Sequence, residues 1–435
     1  MKRLFEMEYF RGFFGSLSVK IIGVGLTFVS QLIIVKIFSA SVYGKYIVSL
    51  TIINILSTIS MFGLNVYLTK DIASNNYQIS ESSKDIFSIG IINSFIISIL
   101  IVAIALNTPT FMGIESSLLL LIIPGVFFFS QNLFYEGLFR GFKRILIAEF
   151  PRTVIRPLIL LIIIGILTVS FSTVLNEHTL VLTLSISSFF IYLGFLIYSK
   201  RLKSGIKIVS LVSFQKYLGL LNKGAPFFFI SVTQILSSEF NILIVSFYLS
   251  PEETGIFAAT QRINQVLNFG LLSSNMILAP MISNYYHSNQ ILRLKWSVFK
   301  ASLTVFIFTA TFGSLLFLFS EQILMLFGSE FVLLGNGPLR ILLIGQLVNS
   351  LAGPVGFLMT MTKHQKIATK IMAFSAIINL IVCAIFVPIY GLNGAAWAYL
   401  IGIFTWNSLL IYKSITLLKI NPTVLAGLAY LQKKK

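Results

Sequence analysis

The residues of this chain that can do chemistry are a handful of charged side chains set inside long apolar runs. Arg152 and Arg156 are four apart, so a helix puts both on one face, where they can grip a single anionic group; Glu149 is placed to pair with one of them. Arg152 is also close enough to a helix end to snorkel to the surface. Glu239 lies about ten residues before the turn SPEETGIF and Arg262 about eight after it, so on antiparallel helices they share a depth of roughly 11 to 15 Å below the surface. That spacing predicts an ion pair. It either fastens two helices together or acts as a switch that a proton or a phosphate breaks. With Lys20 and Glu136 added, the buried charges are four basic and three acidic. Catalytic groups are absent from the pattern: His178, His287 and His364 are dispersed over loops, and no Ser/His/Asp, metal-ligand or phosphate-loop motif appears. The reading is of a protein that is not an enzyme and needs neither metal nor cofactor.

The elements that position these groups follow from composition. With 56% hydrophobic and 11% charged residues, the chain cannot fold as a soluble globule with a polar shell. Only helices or closed barrels satisfy their backbone in lipid, and continuous, non-alternating hydrophobicity excludes the barrel. Runs of about 20 apolar residues give twelve spans, near 14–38, 46–68, 87–106, 117–139, 146–169, 179–199, 225–249, 255–283, 297–319, 338–361, 371–390 and 394–417. The N-terminal run is too long for a cleavable signal peptide and lacks a small-residue cleavage site. Cys383 is the single cysteine, so no internal disulfide forms.

The net charge of +18 is placed mostly in loops, which argues for membrane topology rather than nucleic acid. Lys and Arg collect on one side of the spans, and the other side keeps little beyond Lys45 and Arg340, with Lys36 close to it. By the positive-inside rule both termini are cytoplasmic, in a multi-pass membrane protein. The basic connector Lys200–Asn222 is the seam between two lobes, residues 1–208 and 209–435. Across it, Ser39, Gly44 and Tyr46 correspond at one constant offset to Ser250, Gly255 and Phe257. RGFKR from Arg140 likewise resembles TKHQK after span ten. An even number of spans per half implies parallel repeats, and so an all-α polytopic protein of two six-helix lobes around a central cavity.

Polar residues inside spans say where that cavity lies. Span one aligns Ser16, Lys20, Gly23, Thr27 and Gln31; span two aligns Asn54, Thr58, Met61 and Asn65. Span eight carries Gln261, Asn264, Gln265, Asn268 and Asn275, and span ten carries Gln346, Asn349, Ser350 and Gly353. Any one of these amides and hydroxyls can serve merely to bond neighbouring helices; four aligned stripes point to a hydrated cavity. The residues expected to face it are Lys20, Gln31, Asn65, Arg152, Arg156, Arg262, Gln265, Asn268 and Gln346. Pro124-Gly125, Pro280 and Gly353-Pro354 mark expected bends.

Several stretches together resemble one family. APFFF with a following acidic residue, then TGIFAATQRI, is similar to the start of the second half of polysaccharide flippases in the multidrug/oligosaccharidyl-lipid/polysaccharide exporter superfamily. VYGKY, FGSEF and the run NLIVCAIFVPIYGLNGAAWAY resemble its other recurrent stretches, and their order covers essentially the whole chain. The resemblance implies a Wzx-type flippase that moves a polyprenyl-pyrophosphate-linked oligosaccharide across the membrane by alternating access, for O-antigen, capsule or exopolysaccharide assembly. It also implies a cationic cavity, a place in the lipid bilayer of the bacterial cytoplasmic (inner) membrane, and a polysaccharide polymerase and glycosyltransferases as partners. Lipid II flippases of the superfamily carry two further spans that this chain lacks. Two alternatives stand beside it: a cation-coupled drug antiporter of the same superfamily, for which embedded carboxylates are few, and a membrane polymerase or ligase, for which the exoplasmic loops are short. A non-transporting scaffold or scramblase is the third.

Overall fold

A computed structural model of the chain describes residues 2–75, 81–170, 176–201 and 212–425. Residues 202–211 of the basic connector, with Lys203 and Lys207, lie outside the described residues, as do 426–435 with the terminal lysines. The described chain is helical apart from loops and one tiny hairpin, and it is a polytopic membrane fold. Nine of its helices are long and apolar enough to cross a bilayer, and a bent pair adds a tenth span. One of the nine, α18 (Gln365–Leu418), holds two expected spans.

The elements are, in order, α1 (Lys2–Ile37), α2 (Ala40–Met61), α3 (Leu64–Ser74), α4 (Glu81–Asn107), α5 (Ser116–Leu121), α6 (Ile123–Gly141), α7 (Ile145–Phe150) and α8 (Arg156–Ser170), then α9 (Glu177–Arg201), α10 (Phe214–Ser238) and α11 (Phe240–Tyr248). α12 (Pro251–Gln265) and α13 (Asn268–His287) form the eighth span, followed by α14 (Ile291–Leu318), α15 (Ser320–Met325), α16 (Ser329–Ala352), α17 (Val355–Met361) and α18. Between α4 and α5, strands β1 (Thr110–Phe111) and β2 (Ile114–Glu115) pair antiparallel around Met112 and Gly113, both at positive φ, as a two-residue hairpin turn requires. An all-α reading misses this hairpin because two-residue strands carry no periodicity.

Several spans are broken by local chemistry. Phe62 and Gly63 both take left-handed backbone and separate α2 from α3. α10 and α11 bend by 49° around Glu239. Span eight breaks at Val266–Leu267, and α13 is assigned as one helix from Asn268 to His287. The bends expected at Pro124 and at Gly353-Pro354 coincide with helix ends. α18 folds back on itself at Gly391, which is non-helical, and a methyl built on Gly394 would lie 2.2 Å from the Phe386 carbonyl oxygen. The Y-G-x-x-G-A-A stretch is thus a hairpin corner where only hydrogen fits beside the opposing backbone.

The chain packs as two compact units, Met1–Gly255 and Ile256–Lys435. Packing therefore divides it within α12, just after the second copy of the repeated turn. The first unit is centred on an aromatic cluster of Phe87, Phe134, Tyr135, Phe139 and Phe195, from α4, α6 and α9. In the second, Leu278, Ile282, Leu294, Val298 and Leu358 form one core and Val355, Met359 and Leu410 another. Large apolar side chains such as Ile99 (67% exposed) and Leu106 (79%) point outward from α4, a surface that only hydrocarbon covers at low cost.

Within the first unit the two copies of the repeated turn meet. Ser39 caps α2 by accepting from Val42 N at 3.3 Å, and Ser250 and Glu253 form a reciprocal capping box at the start of α12, with bonds of 3.0 and 3.2 Å. A methyl on Gly44 would lie 1.7 Å from the Pro251 carbonyl oxygen, and one on Gly255 would lie 2.6 Å from the Ala40 carbonyl oxygen. Ala40 corresponds to Pro251 by the same offset that relates Gly44 to Gly255. The contact is isologous, as between positions that straddle a two-fold axis. Close by in sequence, Lys45 is neutralised by Glu177 at 2.6 Å and Glu115 at 3.6 Å.

Candidate functional site

Arg152 and Arg156 of the first unit meet α6 because the start of span five is not a regular helix. Pro151 supplies no N–H, and residues Pro151–Ile155 form a π-helical turn in which Arg156 N donates to the Pro151 carbonyl. Wider than an α turn, it joins α7 to α8 and carries Arg152 and Arg156 toward α6. A methyl on Gly23 would lie 2.6 Å from Thr153 O, so α1 packs directly on this turn.

The Arg156 guanidinium stacks on Phe129 at 3.9 Å from the ring centroid, and its buried Nε has no hydrogen-bond partner among the described residues. Arg152 Nη1 lies 3.8 Å from Glu136 Oε2, and Arg140 Nη2, one turn along α6, lies 3.4 Å from the same oxygen. Glu136 is itself buried, its side chain 4% exposed. Asn54, Ser57 and Thr58 of α2 and Asn132 of α6 complete a small polar cavity of about 20 Å³. Lys20 forms an ion pair with Glu149 at 3.6 Å. Counting that pair as neutral, Glu136 is shared by Arg140, at the end of α6 and 40% exposed, and Arg152, 45% exposed, while Arg156 lies on Phe129, which leaves two positive charges in excess. Such an excess is costly in a low-dielectric medium unless an anion offsets it.

The other expected residues are placed as follows. Gln31 is buried, and its Oε1 has no partner among the described residues. Asn65 lies beyond the Phe62–Gly63 break, where Thr69 donates to its carbonyl at 3.1 Å. Glu239 sits at the break between α10 and α11 and accepts from Thr51 Oγ1 of α2 at 3.3 Å. In the second unit Arg262 donates to Gln265 at 3.0 Å. Gln346 donates to Asn268 across a short contact, and Asn349 donates to Gln346 Oε1 at 3.4 Å. Tyr399 joins this network by accepting from Asn264 at 3.2 Å and donating to Gln346 at 3.4 Å, and Asn407 donates to Asn349 at 3.0 Å. The polar stripes of spans eight and ten therefore bond one another.

Sequence reasoning missed Phe129, Glu136 and Asn132 as pocket residues, and Tyr399 and Asn407 as members of the amide network. Glu136 alone carried a signal, as a charge inside an apolar run. Among the described residues no group of three His, Cys, Asp or Glu side chains is arranged to hold a metal.

Residues 9–286 match the family model described as polysaccharide biosynthesis protein, and residues 226–385 match that described as MatE. No curated protein matches the chain significantly in sequence. Among solved structures the fold is similar to lipid II flippase MurJ in an inward closed conformation, with TM-score 0.75 and 16% identity over 91% of this chain and 86% of that one. It is similar also to an inward-facing multidrug resistance MATE family transporter of the MOP superfamily, with TM-score 0.68 and 14% identity over 90% and 92% of the two chains. A MOP superfamily transporter from Pyrococcus furiosus gives TM-score 0.61 and 14% identity over 93% and 95%. At these identities the likeness establishes the fold.

Proposed function

From the premise that the chain belongs to the polysaccharide biosynthesis protein family, we propose that it is a flippase for polyprenyl-pyrophosphate-linked oligosaccharides. The observation that carries this reading is the pair of uncompensated guanidinium charges around Glu136, with Arg156 stacked on Phe129 and its Nε unpartnered. A pyrophosphate diester brings two negative charges and an array of acceptor oxygens, which suits two planar donor forks. Its sugar finds hydroxyl and amide partners in the Asn54, Thr58 and Asn132 side chains. In this reading the substrate enters from the cytoplasmic leaflet and leaves to the outer one by alternating access of the two repeats. Both termini stay cytoplasmic, and the O-antigen, capsule or exopolysaccharide unit passes to a polymerase after glycosyltransferases have built it. No bond is made or broken.

Arg152→Ala and Arg156→Ala each abolish surface polysaccharide while leaving membrane protein abundance unchanged, as read by immunoblot beside a polysaccharide stain. Retained polysaccharide in both would sink the cationic-pocket reading. A second reading, the cation-coupled antiporter, is favoured by one observation: Glu239 sits at a helix break, where loosened backbone carbonyls can join a carboxylate in holding a cation. In that case Glu239→Gln removes ion dependence of transport and leaves the arginine pocket's affinity unchanged.

A further inference from the structure

Building on the arginine-pocket reading, we propose that Glu136 is a resident counter-anion that sets the pocket's charge selectivity, admitting a doubly charged pyrophosphate diester and excluding singly charged phosphodiester lipids. A cationic pocket inside a bilayer faces a problem of competition, because anionic phospholipid head groups surround it at high local concentration. Glu136 addresses this problem by position. Its single oxygen Oε2 serves both Arg140 and Arg152, at 3.4 and 3.8 Å, and it is the only carboxylate among the residues lining the cavity. The cavity's volume of about 20 Å³ holds about one water.

An incoming anion that binds these guanidiniums competes with Glu136 for them. A phosphodiester with one negative charge replaces one carboxylate charge by another, so the guanidiniums gain nothing and the carboxylate loses its partners in a low-dielectric environment. A pyrophosphate diester brings two charges, one that replaces the displaced carboxylate's and one more that offsets part of the remaining excess, with the Arg156 Nε free to donate. The neighbouring walls do not alter this count, since α2 contributes the neutral Asn54, Ser57 and Thr58. Were Glu136 only a structural tie, its neutralisation would change stability and leave selectivity alone.

The test uses the full chain in nanodiscs of phosphatidylcholine, with phosphatidylglycerol raised from none to half of the lipid, and a C15 isoprenyl pyrophosphoryl N-acetylglucosamine as probe. For the unmodified protein and for Glu136→Asp the probe's apparent Kd changes less than about twofold, whereas for Glu136→Gln it weakens at least about tenfold, equivalent to about 1.4 kcal/mol. Equal sensitivity to phosphatidylglycerol in all three overturns the proposal. A second measurement needs no variant: the unmodified protein prefers the probe over its monophosphate-linked analogue by at least about tenfold, and equal affinity overturns the selectivity role. Absence of any affinity for either probe would instead overturn the arginine-pocket reading on which the inference rests.

Discussion

Arg156 is defined by what lies beneath it and what it lacks: a Phe129 face at 3.9 Å and no partner for Nε. Lysine keeps the charge but loses the planar stack and the fork, so Arg156→Lys is expected to retain only about a tenth of transport, and Phe129→Leu to weaken substrate affinity by about 1 kcal/mol. Both are read from Kd and rate in the same reconstituted preparation. An Arg156→Lys protein with full activity would show that charge alone suffices. The four-residue spacing made the two arginines legible in the sequence, because any helical turn brings such a pair together. The role of Glu136 was not legible, since its partner Arg152 arrives through a π-helical turn that no periodicity announces. Glu149 was the nearer carboxylate in sequence, yet it reaches Lys20. For Glu239 and Arg262, predicted as a pair, the charge swap Glu239→Arg with Arg262→Glu is the discriminating variant: restored transport identifies a structural bond between helices.

At the scale of elements, hydropathy located the spans but not their interruptions. Each of the twelve expected spans coincides with a helix or a broken helix pair among the described residues, because burying backbone in hydrocarbon demands helices of that length whatever the side chains. Breaks at Phe62–Gly63, Glu239 and Val266–Leu267 depend on tertiary contacts and left-handed backbone, and apolar composition is blind to both. The repeated turn was legible as Ser39 and Gly44 against Ser250 and Gly255, while its meaning emerged only when the two glycines were seen to abut the opposing backbone. Gly44→Ala and Gly255→Ala place a methyl where a carbonyl already lies, so each is expected to destabilise the purified protein by about 1–3 kcal/mol and to reduce transport. Gly25→Ala meets open space and is expected to be neutral or stabilising by up to about 1 kcal/mol. Thermal unfolding of the three variants side by side checks this. Equal midpoints would remove the contact's importance.

For the whole molecule, composition settled the membrane class, and the order of short motifs pointed to a family that the match over residues 9–286 establishes. What composition does not encode is which polar residues bind a ligand and which bond helices to each other. Asn264, Gln346, Asn349, Tyr399 and Asn407 of the second unit hydrogen-bond one another, whereas the first unit's arginines carry a charge excess that side-chain pairing does not remove. Gln346→Leu is therefore expected to lower stability and to leave pyrophosphate affinity intact, as thermal unfolding and probe titration would show. The most direct test of the central claim is translocation in sealed vesicles of the isoprenyl pyrophosphoryl sugar bearing a quenchable fluorophore. The purified chain is expected to make inner-leaflet probe accessible to an external quencher, and the double variant Arg152→Ala with Arg156→Ala to perform no better than empty vesicles. Equal rates for the unmodified chain and the double variant, or for the unmodified chain and empty vesicles, would contradict it.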